Sequence, residues 1–265
     1  MRSLFTNDKQ IFRKFFNKAS KENFLFRNIG KIFLGSTLFI SFGILLVPSF
    51  SFSIGDVFFG KTKSLYNVKL AQFFYYTATH PIGSESPPRY AHYQLSRTYF
   101  IEGKLEKALE EAEQELSIYP DSLSTYYILG LTYGYMGRTH EAIDMFSIYI
   151  KAHPETWAGR NDKAWLQFRV GDIDGAMQTI EPIAKNFKYT VWVQNTYCAL
   201  LINKKRFTEA KEACGYAREA ANKMNNEDWG HAYPGNDPRI YMTGLSAMKL
   251  SIDHNLTLIE KNLKN

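Results

Sequence analysis

The stretch LSTYYILGLTYGYMGRTHEAIDMFSIYIKAHPET, residues 123–156, decides the fold. Leu129, Gly130 and Tyr133 stand at i, i+1 and i+4, on one face of a helix, with Tyr126 a turn earlier on that face. Gly137 suits the left-handed conformation that ends such a helix. Ala142 and Phe146 open the inward stripe of a returning helix, and Pro154 stops it. Small residues at Gly130 and Ala142 let the two backbones approach closely. The stretch therefore predicts an antiparallel helix pair.

The pattern recurs. Gly103/Ala108, Gly137/Ala142 and Gly171/Ala176 repeat every 34 residues, and Ala210 continues the series. Four units follow: 89–122, 123–156, 157–190 and 191–224. One helix pair cannot bury its own apolar face, so the units must stack. Unit 1 has Ser96 at the first small position and Ala112 for the aromatic. Unit 3 keeps Ala164 but has Lys163 before it and no closing proline. Unit 4 keeps Ala210 and Ala217 but places Lys205 where the others have glycine.

These residues resemble the tetratricopeptide repeat, over about half of the chain. The resemblance implies an all-α, right-handed superhelix of antiparallel helix pairs. It also implies a non-enzymatic role, with a concave groove lined by the first helix of each unit and occupied by a partner peptide or helix. Carried onto this sequence, the groove residues are Tyr90, Tyr93, Arg97 and Phe100 from unit 1, and Tyr127, Leu131 and Tyr135 from unit 2. Unit 3 supplies Asn161, Trp165, Phe168 and Arg169, and unit 4 supplies Trp192 and Asn195. Aromatics with arginines and amides match the residue types that dominate interface affinity. The other reading of each aromatic is packing between adjacent units. Tyr93 and Arg97 stand where chaperone-tail binders of the family carry lysine and asparagine, which argues against that role. Self-association through the same aromatics is the alternative function.

The net charge of +6 sits in Met1–Lys31, with eight basic and two acidic residues; the rest of the chain is neutral. A folded domain without a basic face gives nucleic acid nothing to bind. Ile32–Gly55 follows, 24 residues without a charge and long enough to span a bilayer. The basic arm before it and Asp56 after it place the N-terminus in the cytoplasm and the repeats on the far side, as in anchored repeat proteins of a bacterial inner membrane. A cleaved secretory signal is the competing reading, with a poor site at Ser51–Ser53. Residues 56–88 then read as a juxtamembrane helix and linker. Lys61–Thr79 is expected to be helical with Leu65, Val68, Leu70, Phe73 and Phe74 toward a core, and His80–Pro88 is breaker-rich. Past the repeats, residues 225–265 form a polar loop, Asn225–Pro238, and one or two closing helices.

Four further patterns carry little weight. Gly55-Asp-Val-Phe-Phe-Gly60-Lys61-Thr62 spells the phosphate-loop motif, but no strand precedes it and no α/β domain follows. The six histidines have no metal-ligand spacing; His231, Asp228 and Asp237 share only a loop, and no cofactor is implied. Cys198 and Cys214 lie on the two helices of unit 4, near opposing positions. Buried free thiols are the expected state, and a disulfide becomes plausible in an oxidising compartment. Asn255-Leu-Thr257 fits the glycosylation triplet, a pattern short enough to arise by chance.

Overall fold

A computed structural model describes residues 47–60, 65–81, 86–232 and 243–264. Among them are twelve helices and no strand. The four 34-residue units give eight: α3 (Ala91–Ile101) and α4 (Leu105–Ile118), α5 (Thr125–Tyr135) and α6 (Thr139–Ala152), α7 (Trp157–Arg169) and α8 (Ile173–Ala184), and α9 (Val191–Asn203) and α10 (Phe207–Asn222). Ahead of them lie α1 (Pro48–Phe59) and α2 (Val68–Thr79); behind them lie α11 (Asn226–Ala232) and α12 (Gly244–Lys264). Consecutive helices pack on one another from α1 to α10, and α12 closes against α10.

The period reappears as backbone geometry. Gly103, Gly137 and Gly171 have φ of 72°, 81° and 85°, and Lys205, the next position in register, has φ 58°. The turn between the two helices of a unit requires the left-handed conformation, and unit 4 adopts it without glycine. At Gly130 a Cβ would stand 2.8 Å from the Phe146 ring, so the aromatic fills the space that the absent side chain leaves. The sequence sets Gly130 against Ala142; in the structure the Phe146 ring lies against Gly130.

Unit 1 begins differently. Tyr90 precedes α3 at φ 71°, a costly conformation for a bulky residue. Glu115, fully buried on α4, accepts the Tyr90 N–H at 2.7 Å and the Tyr93 N–H at 3.3 Å. One carboxylate thus caps the helix from across the unit, a role usually taken by the N-cap side chain.

The buried core falls into two clusters. One runs from Tyr75 through units 1 and 2 to Leu166, and the other from Ala164 through units 3 and 4 to Ile259 on α12. Trp192 belongs to the second, stacked between Trp157 (5.9 Å between ring centres) and Trp229 (4.7 Å). Cys198 and Cys214 are both fully buried and are joined as a disulfide across α9 and α10. This corrects the expectation of free thiols; the opposed placement on the two helices of unit 4 is as expected.

The N-terminal region departs most from expectation. Residues 1–46 of the expected arm and span lie outside the described residues. Of the expected span Ile32–Gly55, residues 48–55 form the start of α1, where Ser51 is fully buried and Gly55 abuts the Tyr75 ring. Among the described residues no helix is long and apolar enough to cross a membrane. Gly55 therefore sits inside a helix rather than opening a loop, and no strand feeds the phosphate-loop lookalike; Lys61 and Thr62 lie outside the described residues. The α2 helix turns a different face to the core from the one expected. Ala71, Tyr75 and Ala78 are buried, while Leu65, Leu70 and Phe73 are exposed.

The α1–α2 pair is nonetheless built into the stack. Tyr75 donates to Asp56 at 2.6 Å, and Gln94 of α3 donates to the same carboxylate at 3.1 Å. Glu102, at the end of α3, takes Lys69 and Gln72 from α2 and Lys104 from the turn. Burial works against that carboxylate, but these three partners outweigh it and hold it down to about 2.

Candidate functional site

The first helices of units 2 and 3 enclose a cleft of about 380 Å³. Gly130, Leu131, Gly134 and Tyr135 line it from α5, and Asp162, Trp165, Leu166 and Arg169 line it from α7. Positions 34 apart, Leu131 and Trp165, and Tyr135 and Arg169, face it together. Gly134 contributes no side chain to the space between the helices, whereas the space at Gly130 is taken by the Phe146 ring, which also lines the cleft. Trp165 is 42% exposed, unusual for a tryptophan, and lies 5.6 Å from Phe168. Arg169 is also exposed and forms no ion pair among the described residues.

Asp162 is the acid of the cleft. Tyr127 donates its hydroxyl to one carboxylate oxygen at 2.9 Å, and Asn161 reaches the other at 3.4 Å. Burial pushes the carboxyl up from its ordinary 3.8 to about 8, further than these two hydrogen bonds can pull it back. Tyr127 is pushed upward as well, first by burial and then by the neighbouring Asp162 charge. Asn161 in turn accepts from Thr196 of α9 at 2.9 Å. Asn255 of α12 donates to Asn195 at 3.4 Å. A polar line thus runs along the inner helices from unit 2 to unit 3 and on to unit 4. The Asn255 amide of the glycosylation triplet is engaged in it.

The candidate groove residues separate into three groups. Leu131, Tyr135, Trp165 and Arg169 line the cleft, with Phe168 half-buried beside it. Tyr127, Asn161, Asn195, Trp192 and Phe100 are buried between helices, Phe100 edge-on to Tyr135 at 5.3 Å. For these five the packing reading replaces the groove reading. Of the other unit 1 positions, Tyr90 is exposed and Tyr93 and Arg97 are half-buried, with Tyr93 edge-on to Tyr90 at 6.0 Å. Arg97 lies over Phe59 of α1 at 4.8 Å and donates to Gln94, and Tyr90 sits before α3 rather than on it. Sequence reasoning missed Asp162. Its only signal was a carboxylate beside the groove column that gives Tyr127, Asn161 and Asn195.

Two tetratricopeptide-repeat family models match the chain, one over residues 90–122 and one over residues 124–156. Over these residues the chain matches tetratricopeptide repeats. Solved structures of MamA share the fold. One from AMB-1 superposes with a TM-score of 0.52 at 17% identity, covering 68% of this chain and 94% of that chain. A point-substituted form of MamA gives 0.52 and 17%, over 65% of this chain and 96% of that chain. At such identity the likeness concerns the fold alone. Among curated proteins none matches this sequence. Among the described residues no group of His, Cys, Asp or Glu is arranged to hold a metal.

Proposed function

We propose that this protein is a membrane-anchored scaffold or assembly factor that holds a segment of a partner protein in the cleft between α5 and α7. One observation carries the reading: Trp165 and Arg169 are exposed beside a cleft that the half-buried Asp162 also lines. Aromatic and arginine side chains at the centre of a concavity are the usual anchors of interfaces. Arg169 at the cleft favours a segment carrying an acidic group. Membrane attachment rests on the charge-free run ahead of α1 and on the basic arm before it. The Cys198–Cys214 disulfide supports repeats that face an oxidising compartment, with the N-terminus in the cytoplasm.

The test is in-cell crosslinking and capture with the full-length protein beside a Trp165→Ala/Arg169→Glu variant of unchanged helicity and melting temperature. Loss of the captured partner in the variant supports the cleft. Retention of the same partner moves the site elsewhere. Capture only of further copies of this chain, with mass rising with concentration in light scattering, replaces partner binding with self-association.

A further inference from the structure

Several apolar side chains of the α1–α2 pair face away from the repeats. On α1, Phe52, Asp56 and Phe59 point toward α2 and α3: Phe52 lies 5.8 Å from Tyr75, Asp56 bonds Tyr75 and Gln94, and Phe59 underlies Arg97. The opposite side carries Phe50, Ile54 and Val57, at i, i+4 and i+7. Phe50 and Val57 are 43% and 52% exposed. On α2, Lys69 and Gln72 turn toward Glu102, and Leu70, Phe73 and Phe74 turn outward, Phe73 being 57% exposed. The two stripes join where Phe58 stacks on Phe74 at 5.8 Å, with Phe73 edge-on to Phe74 at 5.3 Å. The result is one apolar face across two antiparallel helices. Contiguous exposed apolar surface of this kind marks an interaction site.

What meets that face is indicated by what leads into it. The chain enters α1 directly from Ile32–Val47, sixteen residues without a charge. As a helix that run is about 24 Å long, short of a typical hydrocarbon core of about 30 Å. An insertion of this length leaves its end near the headgroup boundary, where amphipathic helices lie with one face about 5–10 Å deep. We propose that the Phe50, Ile54, Val57, Leu70, Phe73 and Phe74 face is a membrane-interface surface, on which the α1–α2 pair lies flat against the lipid and carries the repeat stack. The exposed positions of α2, opposite to those expected of a core helix, then have a solvent of their own. This inference does not depend on the cleft being a partner site.

The experiment uses the full-length chain with a single added cysteine, Val57→Cys or Phe73→Cys, labelled with an environment-sensitive fluorophore. The two native cysteines are bonded and fully buried, so they do not compete for the label. The same label at Tyr189→Cys, 67% exposed and on the connection between units 3 and 4, is the control. Proteins are reconstituted into phosphatidylcholine–phosphatidylglycerol vesicles, with nitroxide-bearing lipid or aqueous iodide as quencher. The expected result is at least twofold quenching by the lipid nitroxide at positions 57 and 73, with a blue-shifted emission, and none at 189. Quenching by iodide instead, or failure of the protein to join the vesicles, overturns the proposal. A blue shift with protection from both quenchers also overturns it and assigns the face to protein, either a second copy or the chain's own apolar run. The cleft variant Trp165→Ala/Arg169→Glu is expected to leave these signals unchanged, so failure here and failure of the partner reading are told apart.

Discussion

In unit 2 the turn between helices is made by Gly137 at φ 81°, and the helices meet where Gly130 admits the Phe146 ring. In unit 4 the same turn is made by Lys205 at φ 58°, and the helices are joined by the Cys198–Cys214 bond. The first unit satisfies the geometry with residues that accept it at little cost. The second imposes it on a residue that resists it and holds the pair covalently. The left-handed turn is thus a demand of the stack, and glycine is only the least costly way to meet it.

The largest expected effect lies in unit 4. Cys198→Ala/Cys214→Ala is expected to lower stability by about 3 kcal/mol, the loss typical of opening a loop of this length, as read by guanidinium unfolding. A loss near zero would mean that packing alone secures unit 4 and the contrast with unit 2 would dissolve. Gly130→Ala comes next, at about 2 kcal/mol, because its Cβ would intrude on the Phe146 ring; thermal melts measure it. Gly134→Ala, whose Cβ would meet its neighbours at ordinary contact distances of 3.7 Å and beyond, is the matched control.

The junction of units 2 and 3 is expected to respond to pH where unit 4 does not. The folded chain keeps the Asp162 proton to about pH 8, whereas the unfolded chain gives it up near 3.8. Folding therefore takes up a proton between these values, and stability falls as pH rises through that window, by at most about 1.4 kcal/mol per pH unit. Asp162→Asn should flatten that slope in denaturant titrations at successive pH values. The smallest effect is a gain: Lys205→Gly is expected to add about 1 kcal/mol by relieving the left-handed lysine. Gly137→Lys should lose a similar amount, and equal responses in both directions would establish that the two turns are interchangeable.

The repeat period was legible because it is written in the residues that close each turn and open each returning helix. Gly103, Gly137, Gly171 and the alanines five residues on located the helix pairs of the four units, including the one where glycine is replaced. The depth of each groove position was not legible. Tyr127 and Trp165 come from the same pattern, yet one is buried against Tyr149 and Asp162 and the other stands open. Periodicity gives the direction of a side chain and not the distance to the next helix. For α2 even direction failed, since its sequence has apolar residues on both sides and tertiary contacts, Tyr75 with Gly55 and Asp56 and Gln72 with Glu102, set which of them turns inward.

The arrangement of tryptophans has an optical consequence. Of the four in the chain, Trp157, Trp192 and Trp229 stack in series within the C-terminal core, while Trp165 stands alone at the cleft. The stacked three should couple as chromophores and give a strong near-ultraviolet dichroism that vanishes when the C-terminal core melts. Trp165 should contribute the red-edge emission that iodide removes. The protein thus carries two intrinsic probes separable by wavelength, one for the integrity of the stack and one for occupancy of the cleft.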